Sequence, residues 1–509
     1  MRALLALVSV SLLASGCGLR PKVEPPKVTV PMAPQWTAAP TVPGEHDREW
    51  WKSFGQPELD ALVAEAQARN FNLEAAAARI DVAMAQARIA RANYWPQLQA
   101  RLAQSRQRQN FVGLPIPGVE PEQVLSRTFT IASALLEASW EPDLWGRIRA
   151  GQLRAAAGAR ATAADLEGAM NSVAAQTARA WFLLAEARAQ LALAERTRQT
   201  FEDTVFSVRL RYEAGLRPSL DLRLALTNLA GAAALVDQRR LQVSNARRQL
   251  EVILGRYPEG ALAGIDTLPP VPTPVPAGLP SELVARRPDL VAAEDRLLAA
   301  SAQVTEARTF LYPSFLLTGT GGAVGDQLID VLQGKFPAWS IAGGLLQPIF
   351  QGGRLRANIR QNEALLREAT ANFQNTVLQA FAEVEMALAN ESFLADQERQ
   401  LEMAAHQARE ASRVAGERYR AGLEEIITLV EAQRRALVLQ GDVIAARLER
   451  LQTRVDLHLA LGGSFAAPLP AAPVVVQPPG AQPRPQTTVP STRVPGAPTL
   501  PGVTAEPIR

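Results

Sequence analysis

An internal repeat constrains this chain more than any other feature. Arg211-Tyr212-Glu213-Ala214-Gly215-Leu216 returns 207 residues later as Arg418-Tyr419-Arg420-Ala421-Gly422-Leu423. Upstream, Pro142-Asp143-Leu144-Trp145-Gly146-Arg147 is echoed by Pro348 to Arg354, and from the glycine onward the offset is again 207. Earlier still, Ala90-Arg91 leading to Tyr94-Trp95-Pro96 is echoed by Ala307-Arg308 leading to Leu311-Tyr312-Pro313. Three matches in one order describe a duplicated unit of roughly 200 residues. The fold must therefore be one that can be built twice.

Each half reads in the same order. A segment rich in Ala, Leu, Glu, Gln and Arg, good helix formers, covers 57–93 in one half and 281–310 in the other, and stops near Pro96 or Pro313. Two stretches of period-2 alternation follow. Leu98, Ala100 and Leu102 alternate with Gln99 and Arg101, and Thr128 and Thr130 with Phe129 and Ile131. In the second half Phe315, Leu317 and Gly319 form one set, and Trp339, Ile341, Gly343 and Leu345 the matching one. Alternation predicts half-buried strands, long enough for tilted membrane strands, with loops over about 110–124 and 321–337.

A proline-free run then extends from Arg147 to Arg211, and from Arg354 to Arg420. At about 1.5 Å per residue each is a rod of roughly 100 Å, Ala-rich and dotted with charges, suited to coiled-coil packing with a wetted face. Gly215 and Gly422 are placed to cap these rods. Return helices follow over 219–254 and 425–461. One chain thus offers two long helical hairpins and four strands. Four strands cannot close a membrane barrel, for which about eight is the minimum, so the strand count demands partners.

The ends differ from the repeats. Arg2, the apolar run Ala3 to Leu13, and Ala14-Ser15-Gly16 make a secretory signal over 1–16. Cys17, the only cysteine, stands where a bacterial lipobox needs one, although Ala14 replaces the usual leucine. Lipidation of Cys17 is expected. Gly18 lacks the aspartate that retains lipoproteins at the inner membrane, so outer-membrane sorting is expected. A lipidated, Pro-rich tether is read over 17–55, the first repeat over 56–262, a Pro-rich linker over 263–280 and the second repeat over 281–464. A tail with twelve prolines over 465–509 is read as disordered. No later stretch has 18 consecutive apolar residues, so a membrane would have to be crossed as a closed β-barrel.

Composition narrows the function. Fifty-three basic and 50 acidic residues give a net charge of +3, which offers no clustered basic face for nucleic acid. One cysteine excludes an intramolecular disulfide framework and a cysteine zinc site. His46, His406 and His458 lack metal-ligand spacing. No phosphate loop, nucleophile motif or acid–base constellation is present, so neither an enzyme nor a cofactor is expected.

Together the lipobox, the duplication and the two Arg-Tyr-x-Ala-Gly-Leu turns resemble the TolC-like outer-membrane factors, in their NodT-type lipoprotein branch. Arg286-Arg287-Pro288-Asp289-Leu290 resembles that branch's mid-chain signature, as does Leu346-Gln347-Pro348-Ile349-Phe350 before Gly352-Gly353-Arg354. The resemblance spans about 17–462. It implies a mainly α fold with a membrane β part: coiled-coil hairpins forming an α-barrel, and four strands per protomer contributing to a twelve-stranded barrel in a homotrimer. It further implies a passive exit duct in the outer membrane, partnered by a periplasmic adaptor protein and an inner-membrane pump. By the same resemblance Ala214, Gly215, Leu216, Ala421, Gly422 and Leu423 are adaptor-docking tips. Ile427 and Glu431, four apart on one helix face, match positions that close the periplasmic end, and Asp221 occupies a similar place after the first tip. The simpler account of the tips is turn chemistry, with glycine as cap and leucine packed behind it. The alternative for the whole chain is a non-conducting coiled-coil lipoprotein that tethers envelope layers, which leaves the twice-repeated strands unexplained.

Overall fold

Proline and glycine set most element boundaries. The computed structural model describes residues 49–111, 125–272 and 286–463, with single positions between 23 and 38 and at 275 and 283. The signal segment, Cys17, most of the tether, residues 112–124, His46 and the tail from 464 lie outside the described residues.

The helices are α1 (Pro57–Arg69), α2 (Phe71–Ala92), α3 (Arg147–Glu213), α4 (Ser219–Ile253), α5 (Pro288–Thr309), α6 (Leu328–Leu332), α7 (Arg354–Arg420) and α8 (Ile426–Ala460). The strands are β1 (Gln97–Phe111), β2 (Leu125–Trp140), β3 (Ser314–Gly325) and β4 (Pro337–Leu346). The repeat is kept to the residue: α3 and α7 begin at 147 and 354, α4 and α8 at 219 and 426, each pair 207 apart. Both rods have 67 residues and both return helices 35. Each rod starts after a left-handed glycine, Gly146 (φ 78°) or Gly353 (φ 83°). Asp143 accepts the backbone N–H groups of Ile148 and Arg149, both at 3.0 Å, and so satisfies free donors at the start of α3.

Several expectations shift. The helix anticipated over 57–93 breaks at Asn70, which is extended (ψ 118°) and accepts the N–H of Asn72 through Oδ1 at 2.9 Å. An asparagine that can cap a new helix competes with continuing the old one. The helix expected from 281 breaks at Arg287, which is extended (ψ 128°): Leu283 and Arg286 before it are helical, and α5 starts at Pro288, where proline suits a first helical position. The loop expected over 321–337 is partly strand, since β3 runs on to Gly325 and α6 follows. Gly322 looked like a loop residue, but a Cβ there would stand 2.0 Å from the Ala134 carbonyl oxygen. Glycine lets β2 and β3 meet at that point. Among the described residues one helix, α4, contains an 18-residue window apolar enough to cross a bilayer. That helix nevertheless pairs along α3 as the return arm of a hairpin.

The strands form one antiparallel sheet in the order β1-β2-β3-β4. Directly opposed residues share a face. Phe315 opposes Leu345, Leu317 opposes Gly343 and Gly319 opposes Ile341, so the two matching sets do meet. Following the register across all four strands gives one face with Leu98, Leu102, Leu136, Phe315, Leu317, Trp339, Ile341 and Leu345. The other face has Gln97, Gln99, Arg101, Glu137, Ser139, Thr318, Thr320 and Ser340, together with Leu135, Leu316 and Val324. Near the helices the first face is mainly apolar and the second mainly polar, the pattern of a barrel wall with lipid outside and water inside. Higher on β1 and β2 it inverts, with Arg106, Arg108, Thr128 and Thr130 on the first face and Phe129 and Ile131 on the second.

The main core lies where the hairpin bases meet. Trp50 and Phe54, in a short 3-10 turn, join Trp181, Phe182, Leu250, Leu254 and Leu451. Each such side chain contributes on the order of 1.5–3 kcal/mol by leaving water. The stretch 17–55, read as tether, therefore ends inside the core. Further up the tether, Trp36 is buried edge-on to Phe381 at 6.2 Å. Next to it Glu385 accepts the backbone N–H groups of Thr37 and Ala38, both at 2.8 Å.

Arg287 explains why the Arg-Arg-Pro-Asp-Leu motif is present. Its buried guanidinium grips Asp289 through two hydrogen bonds (3.0 and 2.8 Å) and donates to Glu383 and to the Ala460 carbonyl. Arg286 donates to the Leu461 carbonyl. The motif therefore ties α5 to α7 and to the end of α8.

Candidate functional site

The two hairpin tips lie together. Val205, Val208 and Ala225 of the first hairpin share one cluster with Ala415, Tyr419, Ile426 and Leu429 of the second. Each rod ends in the same way. The Gly215 N–H donates to the Tyr212 carbonyl (2.9 Å) and the Leu216 N–H to that of Arg211 (2.8 Å). Gly422 and Leu423 repeat this with Tyr419 (3.0 Å) and Arg418 (2.9 Å). This paired pattern requires a left-handed residue, and Gly215 (φ 72°) and Gly422 (φ 78°) supply it. The capping role read from sequence holds. The leucines, however, do not pack behind the caps: Leu216 is 73% exposed and Leu423 70%. Ala214 and Ala421 are exposed beside them. Turn chemistry alone leaves two large apolar side chains in water.

A cationic clamp joins the tips. Arg211 lies over the Tyr419 ring at 5.1 Å and Arg217 at 5.4 Å. Arg211 also donates to the carbonyls of Tyr419 (2.8 Å) and Arg420 (2.5 Å), and Arg217 to that of Glu424 (3.3 Å). Burial first, and then the Asp221 carboxylate, push the Tyr419 hydroxyl pKa upward against both arginines. Tyr419 therefore stays neutral, with an electron-rich ring for the guanidinium groups. Sequence reading did not find this clamp, because the repeat motif contains Arg211 and Tyr419 but gives no sign that they meet.

Ile427 and Glu431 both lie exposed on α8 near the tip. Asp221 departs from expectation: it is only 8% exposed, in the first turn of α4. The repeat offset gives the reason. Position 221 corresponds to Thr428, while the counterparts of Ile427 and Glu431 are Leu220 and Leu224. Leu220 is exposed and Leu224 half-buried. Glu431 also has a neighbour that the sequence reading overlooked. Arg434, one turn on, donates to it through Nε and Nη2, both at 3.1 Å.

Away from the tips, α7 and α8 are joined by a charge ladder. Arg447 donates to Glu398 (2.7 Å) and Glu402 (2.8 Å), Arg450 to Glu398 (2.6 Å), and Arg454 to Glu391 (2.7 Å). Burial pushes the Glu398 pKa up, but Arg450 and Arg447 outweigh it and hold the carboxyl below its usual range. Among the described residues no cluster of His, Cys, Asp or Glu is arranged to hold a metal ion.

Two rods of about 100 Å, each folded back by a return helix of about 50 Å and leading from a four-stranded antiparallel sheet, define a class of protein, the envelope-spanning ducts. The model of the outer membrane efflux protein family matches residues 62–256 and 279–463, one match per repeat, and the chain belongs to that family. It is 33% identical over 436 residues to the pyoverdine export outer membrane protein OpmQ of Pseudomonas putida, covering 83% of this chain and 90% of the relative. It is 32% identical to outer membrane protein OprJ of Pseudomonas aeruginosa, covering 90% and 95%. Among solved structures, the outer-membrane channel OprN superposes with a TM-score of 0.77 at 27% identity, covering 87% of this chain and 99% of that one. The Campylobacter jejuni CmeC channel superposes with a TM-score of 0.80 at 23% identity, a likeness of fold, covering 89% of this chain and 96% of that one. This chain is an outer-membrane component of an efflux system, an exit duct and not an enzyme.

Proposed function

We propose that three copies close the sheet into a twelve-stranded barrel, continued by the helices as one tunnel, and that Cys17 carries the lipid that anchors it. The observation that carries the proposal is the sheet itself. Among the described residues it has four strands, an outer face that is apolar near the helices, and β1 and β4 as edges without a partner strand. In lipid such edges are not tolerated, and twelve strands satisfy the need for closure with simple three-fold symmetry. The energy for export comes from an inner-membrane pump, and a periplasmic adaptor joins pump to duct. The relatives' names cover pyoverdine, antibiotic and toluene export. A passive duct leaves the choice of cargo to the pump, so this duct serves small molecules of varied chemistry.

Ala214, Gly215, Leu216, Ala421, Gly422 and Leu423 dock the adaptor, with the two exposed leucines as apolar contacts. Ile427 and Glu431 line the periplasmic constriction, Leu220 and Leu224 extend its apolar part, and Asp221 acts from behind through Tyr419. Size measurement of detergent-extracted protein tests the assembly. A trimer with heat-modifiable migration is expected, and a monodisperse monomer with intact β signal overturns it. Cys17→Ser is expected to abolish radioactive fatty-acid labelling, and unchanged labelling refutes the anchor.

A further inference from the structure

We infer that the outward face of the β1–β2 hairpin, above its apolar band, binds the phosphate groups of outer-leaflet lipid through Arg106 and Arg108. The inference rests on the barrel reading above. Opposed residues on the outward face run Leu98 with Ala138, Ala100 with Leu136 and Leu102 with Ala134. The chemistry then changes to Gln104 with Ala132, Arg106 with Thr130, Arg108 with Thr128 and Asn110 with Ser126. Both strands therefore turn polar over the same few residues.

Height agrees with this change. The inner end of the sheet is marked by exposed Trp95 and by Trp140, whose indole N–H donates to the Tyr94 carbonyl at 3.1 Å. At about 3.4 Å per residue and a tilt near 40°, the rise from Gln97 is roughly 23 Å to Arg106 and roughly 29 Å to Arg108, against an apolar band about 25 Å tall. The two guanidinium groups thus emerge at the outer boundary of the hydrocarbon. Arg108 is oriented there by its hydrogen bond to Ser126 Oγ (2.6 Å), and the hydroxyls of Thr128 and Thr130 flank the pair. Among the described residues of the four strands the only carboxylate is Glu137. It lies on the opposite face, accepting from Gln99 at 2.8 Å. No acid in the sheet neutralises the outward arginines.

The occupant is a lipid phosphate and not a soluble anion. Two guanidinium forks about 7 Å apart along the strand suit a headgroup with more than one phosphate. Leu102, 60% exposed, lies directly below, where the acyl chains of that headgroup would run; Ala132 and Ala134 beside it are covered by Leu328 and Val331 of α6. A free phosphate gains nothing from that apolar floor.

The test uses full-length protein in mixed micelles doped with fluorescent bisphosphorylated lipid A, with its dephosphorylated form and inorganic phosphate as comparators. Arg106→Gln with Arg108→Gln is expected to weaken lipid A binding roughly thirtyfold, from about 1 kcal/mol per cation at a charged membrane surface. Arg127→Gln, on the inner face opposite Gln109, should bind as the parent does. The double lysine variant keeps the charge without the fork and should fall between the two, which serves if the glutamine variant assembles poorly. Unchanged binding by the glutamine variant, or an equal loss in Arg127→Gln, overturns the inference. Displacement by inorganic phosphate assigns the site to free anions and also overturns it. Heat-modifiable migration of the parent without added lipid tests the barrel separately: its loss defeats the barrel reading, while its presence with unaffected binding defeats only the lipid site.

Discussion

Tyr212 and Tyr419 occupy the same step of the repeat, yet Tyr212 is 42% exposed and Tyr419 is 2% exposed. The same divergence recurs nearby. Arg217 corresponds to Glu424, Leu224 to Glu431 and Thr227 to Arg434. The caps, the helix lengths and the Arg-Tyr pair were kept in both tips, Arg211 matching Arg418 and Tyr212 matching Tyr419, while Arg217 is matched by Glu424. The first tip donates two arginines and the second supplies the aromatic that receives them. Duplication supplied two equal hairpins, and their asymmetry allows them to hold each other within one chain.

The clamp makes the largest prediction. Tyr419→Ala removes a buried aromatic from the cluster shared by both tips, and large-to-small changes of this type cost about 3–5 kcal/mol. Tyr212→Ala, at the same repeat position, should stay within about 0.5 kcal/mol. Hydrogen exchange at residues 419–430 and single-channel conductance measure the two effects: faster exchange and higher resting conductance for Tyr419→Ala, and neither for Tyr212→Ala. Equal behaviour of the two variants would mean that the asymmetry has no mechanical consequence.

The caps come next, because here the comparison predicts sameness. A Cβ at Gly215 or Gly422 meets no neighbour within 4 Å, so the local effect is backbone strain of about 1–2 kcal/mol in the left-handed region. Both Gly→Trp variants should therefore leave assemblies in the membrane and lose adaptor cross-linking. Full export by Gly422→Trp removes the second tip from the docking role.

A pH prediction compares the hairpins higher up. Glu398 holds Arg447 and Arg450 across α7 and α8, and its pKa is held below the ordinary 4.5. A depressed carboxylate contributes stability that is present above its unfolded pKa and lost as pH falls through the folded one. Thermal stability should therefore fall below about pH 4.5 in the parent, and less steeply in Glu398→Gln, which starts lower. Identical pH profiles would mean that the ladder does not stabilise the second hairpin.

How much of this was legible in the sequence follows from the range of each interaction. The repeat, the rods and the glycine caps are local, fixed by residues within about one turn, and bare sequence shows them to within a few residues. The alternating sets of each strand follow from period 2 and were legible too, but not which sets share a face: Thr128 and Thr130 lie with Leu98 and Leu102, while Phe129 and Ile131 lie with Gln99. Gly322 was not, because its reason is the Ala134 carbonyl of another strand. Arg287 likewise reads as half of a basic pair until Glu383 and the end of α8 are brought beside it. At the tips the motif gave the turn, while the clamp depends on residues about 200 positions apart. Asp221 shares its place after the turn with the pore candidates of the second tip, but its burial beside Tyr419 depends on the other hairpin and cannot be read locally.

The smallest effect concerns charge at the proposed constriction, where the two tips differ by Leu224 against Glu431. Three Glu431 carboxylates around an axis would repel one another and draw in cations. Arg434 alters that picture, since it pairs with Glu431 from one turn away and brings a positive charge into the same ring. Both side chains are exposed, and exposed pairs interact weakly because water and salt screen them. In the proposed trimer such a ring would be close to neutral, and the parent channel should be only mildly cation-selective in a planar bilayer. Glu431→Ala leaves Arg434 alone and should turn selectivity toward anions. Arg434→Ala frees the carboxylate and should raise cation selectivity and sharpen block by divalent cations. Leu224→Glu, which gives the first tip the acid of the second, should act in the same direction as Arg434→Ala. Higher salt should shrink all three shifts together. If Arg434→Ala leaves the reversal potential unchanged while Glu431→Ala moves it, the arginine lies outside the pore and the acidic ring acts alone. If neither variant moves it, the constriction is lined by other residues of the tips.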